Sequence, residues 1–115
     1  RWHRDVFVRI ERLAENLPPT DAQALRAAVD ANRAAIAQSH RAYRSARRDI
    51  RETLRQDPFK VEDMRAAVAK ARAARQTYDR VIQGAFTDAA AKMSSTGRHA
   101  MADWPRRRKR RARPR

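Results

Sequence analysis

The sequence predicts an all-α protein in which two long helices form an antiparallel hairpin flanked by two short helices. Three observations predict this fold: 42% of the 115 residues are hydrophobic but only 6% are aromatic, only two residues are glycine, and apolar residues recur at helical spacing. Few aromatics favour closely packed helices, and two glycines are too few for the tight turns of an all-β fold. One small domain is expected over residues 1–105, followed by a disordered basic tail at residues 106–115.

The first helix is predicted over about residues 3–17, where the apolar spacing is four, three and four: Val6, Ile10, Leu13 and Leu17. Pro18-Pro19 ends it, because proline lacks a backbone donor. A capping box formed by Thr20 and Gln23 predicts the start of a second helix that continues without a break from Asp21 to Gln56. Apolar or small residues repeat along it every seven positions: Ala22, Val29, Ile36, Tyr43 and Ile50.

Asp57-Pro58-Phe59 separates the second helix from a third, which carries its own heptad stripe as far as Met93. Because the connection is short, the two long helices are predicted to be antiparallel neighbours. Gly84 is interpreted as a close-packing point inside the third helix, and Gly97 as part of a helix boundary. Ser95 is predicted to cap a short fourth helix that Pro105 ends.

A lone hairpin leaves much of its apolar stripe uncovered, so a homodimer is predicted. The residues proposed for the dimer or client surface are the larger side chains of the stripes, although intramolecular core is the plainer role for most of them. They are Val6, Ile10, Leu13, Tyr43, Ile50, Met64, Tyr78, Ile82 and Trp104.

Twenty-eight lysines and arginines against 13 acids give a net charge of +15. Such a chain is expected to bind anionic partners: anionic lipid or another anionic surface through the tail, or nucleic acid in a cytosolic setting. The candidate residues lie on the second helix and in the tail. They are Arg44, Arg47, Arg48, Arg51, Arg106, Arg107, Arg108, Lys109, Arg110 and Arg111.

The sequence offers little for catalysis or for a cofactor. It has no cysteine, hence no disulfide or thiolate, and it lacks the local signatures of a nucleophile, a carboxylate pair or a phosphate-binding loop, so the chain is predicted not to be an enzyme. His3, His40 and His99 are interpreted as ordinary surface histidines. The alternative is a weak divalent transition-metal site, in which His99 and Asp103 share a helical face and His3 completes the ligands.

Three segments together resemble a known family: Arg9 to Pro18 (RIERLAENLP), Leu54 to Phe59 (LRQDPF) and Met93 to Trp104 (MSSTGRHAMADW). They resemble the bacterial periplasmic heavy-metal sensor, or metal-resistance, family, which is related to nickel/cobalt sensors, zinc-resistance-associated proteins and LTxxQ periplasmic chaperones. The resemblance implies a dimeric helical hairpin in the periplasm, held at the inner membrane by an N-terminal segment before Arg1. It also implies a membrane-bound anti-sigma or envelope-stress partner.

The ligands of the nickel/cobalt sensors do not carry over. By this resemblance they fall on residues with alkyl side chains, which cannot ligate a metal: Ile10, Ala14, Ala85, Ala89 and Ala31, the last beside Asp30. The LTxxQ motif is replaced by Met93 to Gly97. The function expected is a non-enzymatic periplasmic heavy-metal sensor or resistance protein, acting in envelope metal or stress response without the usual ligands. The alternatives are a chaperone-like client-binding protein, or a basic nucleic-acid-associating protein if the chain is cytosolic.

Overall fold

A computed structural model describes the backbone of residues 2–112 and the side chains of residues 6–104, and all regular structure in that part is helical. The five helices are α1 (Trp2–Ala14), α2 (Pro19–Ala31), α3 (Arg33–Arg55), α4 (Val61–Ala90) and α5 (Ser95–Ala112). The all-α prediction is confirmed. Within the described part, no helix combines the length and apolarity needed to span a bilayer. The homodimer stays a prediction.

The helices group into two compact units. Unit 1 holds residues 1–31 together with residues 85–115, so it contains α1, α2, the end of α4 and α5. Unit 2 holds residues 32–84, so it contains α3 and most of α4. The predicted boundary between a domain at residues 1–105 and a tail at residues 106–115 stays a prediction.

The predicted second helix is two helices, and the prediction of a continuous helix from Asp21 to Gln56 is wrong. Asn32 lies between α2 and α3 with φ −111° and ψ 10°, outside the helical region. Asparagine tolerates this bridge conformation better than most residues and has a modest helix propensity. The Ile36 amide still donates to the Asn32 carbonyl at 2.9 Å, so α3 begins directly after the interruption.

Both predicted caps are displaced along the chain. The Ala22 amide donates to the carbonyl of Pro18 at 2.8 Å, so Pro18 precedes α2, Pro19 is its first residue, and the exposed Thr20 lies inside the helix. Proline is favoured at the first helical position, where its missing N–H would have no partner. The cap of α5 is Ser94 rather than Ser95, because the Gly97 amide donates to Ser94 Oγ at 3.1 Å.

Pro105 does not end α5, whose backbone continues to Ala112. Proline removes one helical hydrogen bond, but the alanine, arginine and lysine residues after it have high helix propensity. The side chains of residues 105–115 lie outside the described residues, and so do residues 113–115 altogether. The expected disorder of residues 106–115 therefore stays a prediction.

The core of unit 1 contains most of the larger buried side chains. Leu25 is fully buried and Val29 nearly so. The other buried apolar residues of this unit come from α1, α2, the end of α4 and the turn after it: Val6, Ile10, Leu13, Ala14, Leu17, Ala22, Ala85, Ala89 and Met93. The apolar periodicity predicted for the first helix thus corresponds to a buried face.

Unit 2 is an antiparallel hairpin of α3 and α4 with a sparse core. Contacts from His40 towards Asp49 along α3 meet α4 in the reverse direction, from Tyr78 to Lys70. Ile36 is its largest fully buried side chain, and the remaining buried apolar residues are alanines: Ala46, Ala67 and Ala71. Small residues let the two helices approach closely but bury little apolar area, so this hairpin is modestly stabilised by the hydrophobic effect.

Candidate functional site

The predicted metal ligand His99 lies on the exposed face of α5. Its Nδ1 is 2.7 Å from the Ser95 carbonyl oxygen and 3.3 Å from Ser95 Oγ. Because a carbonyl only accepts, Nδ1 is the donor in this contact, which leaves Nε2 as the ring nitrogen that could bind a metal. In many metal sites the histidine ring is oriented in this way, by a hydrogen bond from its other nitrogen to a backbone carbonyl.

The other two candidate ligands are placed less fully. Asp103 is exposed one helical turn beyond His99, while the side chain of His3 lies outside the described residues. Among the described side chains, no three His, Cys, Asp or Glu residues come together as a metal site. His40 is buried, with only 8% of its surface exposed, so the interpretation of His40 as a surface histidine is wrong.

Four of the five positions that the resemblance assigns to sensor ligands belong to the core of unit 1. Ile10 is 9% exposed, Ala14 and Ala85 are 1% exposed, and Ala89 is fully buried. Ala31 is exposed at the end of α2. Four of the five positions are therefore filled by packed alkyl groups.

A buried carboxylate joins the starts of α2 and α5 within unit 1. Asp21 Oδ1 accepts a hydrogen bond from the Ser94 amide at 2.8 Å, and Asp21 Oδ2 accepts one from Ser94 Oγ at 2.6 Å. The carboxylate is only 3% exposed. The hydrogen bonds from the Ser94 hydroxyl and amide hold the pKa of Asp21 below its usual value of 3.8.

Residue 97 must be a glycine because the Asp21 side chain leaves no room for a Cβ atom there. A Cβ added there would lie 2.9 Å from Asp21 Cβ and 2.5 Å from Asp21 Cγ, and closer still to the carboxylate oxygen. The interpretation of Gly84 as a close-packing point is wrong, because an added Cβ would meet nothing within 4 Å. Neither glycine has a positive φ, so backbone conformation does not explain the choice at residue 97.

The segments before α2 and α5 form the same turn twice, a repeat that the sequence analysis missed. In the first turn the Asn16 amide donates to the Leu13 carbonyl, and in the second the Lys92 amide donates to the Ala89 carbonyl, 76 residues later. Three further backbone hydrogen bonds of the first turn have a counterpart at the same offset in the second. Each turn buries one apolar side chain, Leu17 or Met93. The signal in the sequence is short: Leu-Pro-Pro-Thr-Asp in one turn and Met-Ser-Ser-Thr-Gly in the other.

Aromatic and arginine side chains cluster on the hairpin of unit 2. The Tyr43 and Tyr78 rings stack with centroids 6.4 Å apart, and the His40 ring is tilted against Tyr78 at 5.2 Å. The Arg75 guanidinium lies 5.5 Å from the Tyr43 centroid and donates to its hydroxyl at 3.0 Å, which raises the pKa of Arg75. Arg47 lies over the same ring at 5.7 Å.

The candidate dimer or client residues separate into two groups. Val6, Ile10 and Leu13 are buried inside unit 1 of the single chain. The others are partly exposed: Tyr43, Ile50, Met64, Tyr78, Ile82 and Trp104. Their role at an interface stays a prediction.

The candidate anion-binding arginines lie on α3 and in the tail. Arg47, Arg48 and Arg51 are exposed and Arg44 is partly exposed, while the tail side chains, Arg106 to Arg111, lie outside the described residues. Some arginines elsewhere are occupied by carboxylates: Arg26 donates to Glu11 at 2.6 Å, lowering the pKa of Glu11. Such exposed pairs contribute little to stability.

Comparison with known proteins adds one finding. A family model described as heavy-metal resistance matches residues 1–100. Members of that family are generally non-enzymatic and typically periplasmic. No curated protein and no solved structure is significantly similar to the chain.

Proposed function

The chain belongs to the heavy-metal resistance family, and from this premise we propose that it is a non-enzymatic periplasmic protein of the envelope metal or stress response. The observation that carries the proposal is the burial of Ile10, Ala14, Ala85 and Ala89. The resemblance places sensor ligands at these positions. In this chain, the alkyl side chains at the same positions pack in the core of unit 1. Their burial supports the proposal that this chain lacks the usual ligand set of the sensors at these positions.

Direct metal binding, in this proposal, moves to α5. The Nε2 of His99 is the oriented donor, Asp103 supplies a carboxylate one turn away, and His3 is the third ligand. Imidazole and carboxylate donors suit a divalent transition metal such as nickel, cobalt, zinc or copper. The metal would be held by the side chains of these three residues, and no covalent chemistry is required of the protein.

Calorimetric titration of the full chain with nickel, cobalt, zinc and copper chlorides tests this proposal. We expect saturable binding of one metal that is lost in His99→Ala/Asp103→Ala. Asp88→Ala is the matched control, because it removes an exposed carboxylate from α4 and should leave binding intact. Absence of binding with all four metals, or equal loss in the control, would refute direct metal binding at α5.

A further inference from the structure

An open groove of about 470 Å³ lies in unit 2, beside the connection between α3 and α4 and the first turns of α4. Four apolar side chains and two arginines line it: Phe59, Val61, Met64, Val68, Arg65 and Arg72. No carboxylate lines it. The groove is therefore apolar along its floor and purely cationic in its charged groups.

The groove coincides with a local concentration of exposed apolar side chains. Phe59 is 49% exposed and Val61 is 52% exposed, and the neighbouring Leu54 at the end of α3 is 58% exposed. Among the described residues, the other exposed large hydrophobic side chain is Val8, in unit 1. Apolar side chains grouped on a surface in this way mark interaction sites more often than isolated ones do.

The two arginines of the groove are available for a ligand. Arg26, Arg55 and Arg75 each contact a carboxylate of the chain, whereas Arg65 and Arg72 have no carboxylate partner among the described residues. They are seven positions apart in the sequence, which places their backbones about 10 Å apart along α4. A ligand that satisfies both must carry two anionic groups at a comparable spacing.

We propose that this groove binds a peptide segment that combines apolar side chains with at least two carboxylates about 10 Å apart. The apolar side chains would cover Phe59 and Val61, and the carboxylates would pair with Arg65 and Arg72 in bidentate fashion. The interaction is independent of the metal-binding proposal, because its residues lie in unit 2 and none is a metal ligand.

Charge and shape favour such a peptide over other occupants. A second copy of this chain seated groove to groove would set its own Arg65 and Arg72 against these two arginines. The basic sequence of residues 106–115 has the wrong charge to pair with these two arginines. A single fatty-acid carboxylate satisfies one arginine and leaves the other unpaired, and the flat surface of a bilayer does not fill a groove.

Selection of random 12-residue displayed peptides on the full chain tests the inference. We expect the enriched peptides to pair aspartate or glutamate with leucine, isoleucine or phenylalanine. Arg65→Glu/Arg72→Glu should weaken these peptides by about tenfold and select basic apolar peptides instead. The matched control is Arg80→Glu/Lys92→Glu, which makes the same change in net charge at exposed residues outside the groove.

A second variant, Val61→Asp, should abolish peptide binding by placing a charge on the apolar floor. Circular dichroism checks that its helix content is unchanged. The Arg65→Glu/Arg72→Glu variant tests the same groove by changing only exposed side chains. The inference is overturned by absence of enrichment, or by equal weakening in the Arg80→Glu/Lys92→Glu control. It is also overturned if the groove variants affect only binding to phosphatidylglycerol vesicles, or only self-association measured by ultracentrifugation.

Discussion

Replacing Gly97 by alanine tests the contact between the starts of α2 and α5. The added Cβ would lie 2.9 Å from Asp21 Cβ and 2.5 Å from Cγ, far inside the distance at which two carbon atoms pack. The Asp21 carboxylate cannot move away cheaply, because the amide and hydroxyl of Ser94 both donate to it. Either α5 shifts or these hydrogen bonds break.

Two opposing terms set the size of the effect. Overpacking a buried contact costs about 1–3 kcal/mol, whereas replacing glycine by alanine within a helix gains up to about 1 kcal/mol. We therefore expect Gly97→Ala to lower the free energy of unfolding by about 1–2 kcal/mol. For a chain of 115 residues, that corresponds to a fall in Tm of roughly 4–8 °C.

Thermal and urea unfolding followed by circular dichroism measure the effect, and the chain contains its own control. Gly84→Ala makes the same chemical change in α4, where nothing lies within 4 Å, and should raise stability by up to about 1 kcal/mol. In an Asp21→Gly background the clash is absent, so Gly97→Ala should no longer destabilise. If the Gly97 and Gly84 substitutions shift Tm in the same direction, the close approach to Asp21 is refuted.

Two further predictions concern acid stability and the core. The folded-state pKa values of Asp21 and Glu11 lie below their ordinary values of 3.8 and 4.5, so their stabilising contribution is present above those values and lost as the pH falls through the folded-state pKa. The urea concentration at half unfolding should decrease as the pH is lowered below about 4.5, and it should decrease less steeply in Asp21→Asn. An identical pH dependence in that variant would show that Asp21 contributes nothing to acid stability. Leu25→Ala creates a cavity at a fully buried residue and should lower the free energy of unfolding in urea by about 2–5 kcal/mol. Leu54→Ala, at a residue that is 58% exposed, should change the free energy of unfolding little. Comparable losses in the two variants would contradict the burial of Leu25.

Local pattern was enough to predict the all-α class and much of the buried face. The spacing of Val6, Ile10 and Leu13 predicted α1, and each of these residues is buried. The short connection at Asp57-Pro58-Phe59 predicted that the helices on either side of it are antiparallel neighbours, as α3 and α4 are in unit 2. Such patterns are readable because a helix repeats its faces at a fixed period, so the apolar face is encoded residue by residue.

Helix ends were predicted less well, because a cap depends on one or two residues among several similar candidates. Ser94 and Ser95 are adjacent and chemically identical, and only backbone geometry decides which one caps α5. Asn32 interrupts a stripe whose heptad period continues past it, so periodicity alone gave no sign of the break.

The sequence by itself determined the helical class, the apolar faces and the basic charge, since these follow from composition and local spacing. Only the tertiary structure decided which glycine is essential, because the crowding at Gly97 comes from Asp21, far away in the chain. Long-range packing assigns this role to Gly97, and no period in the sequence records it.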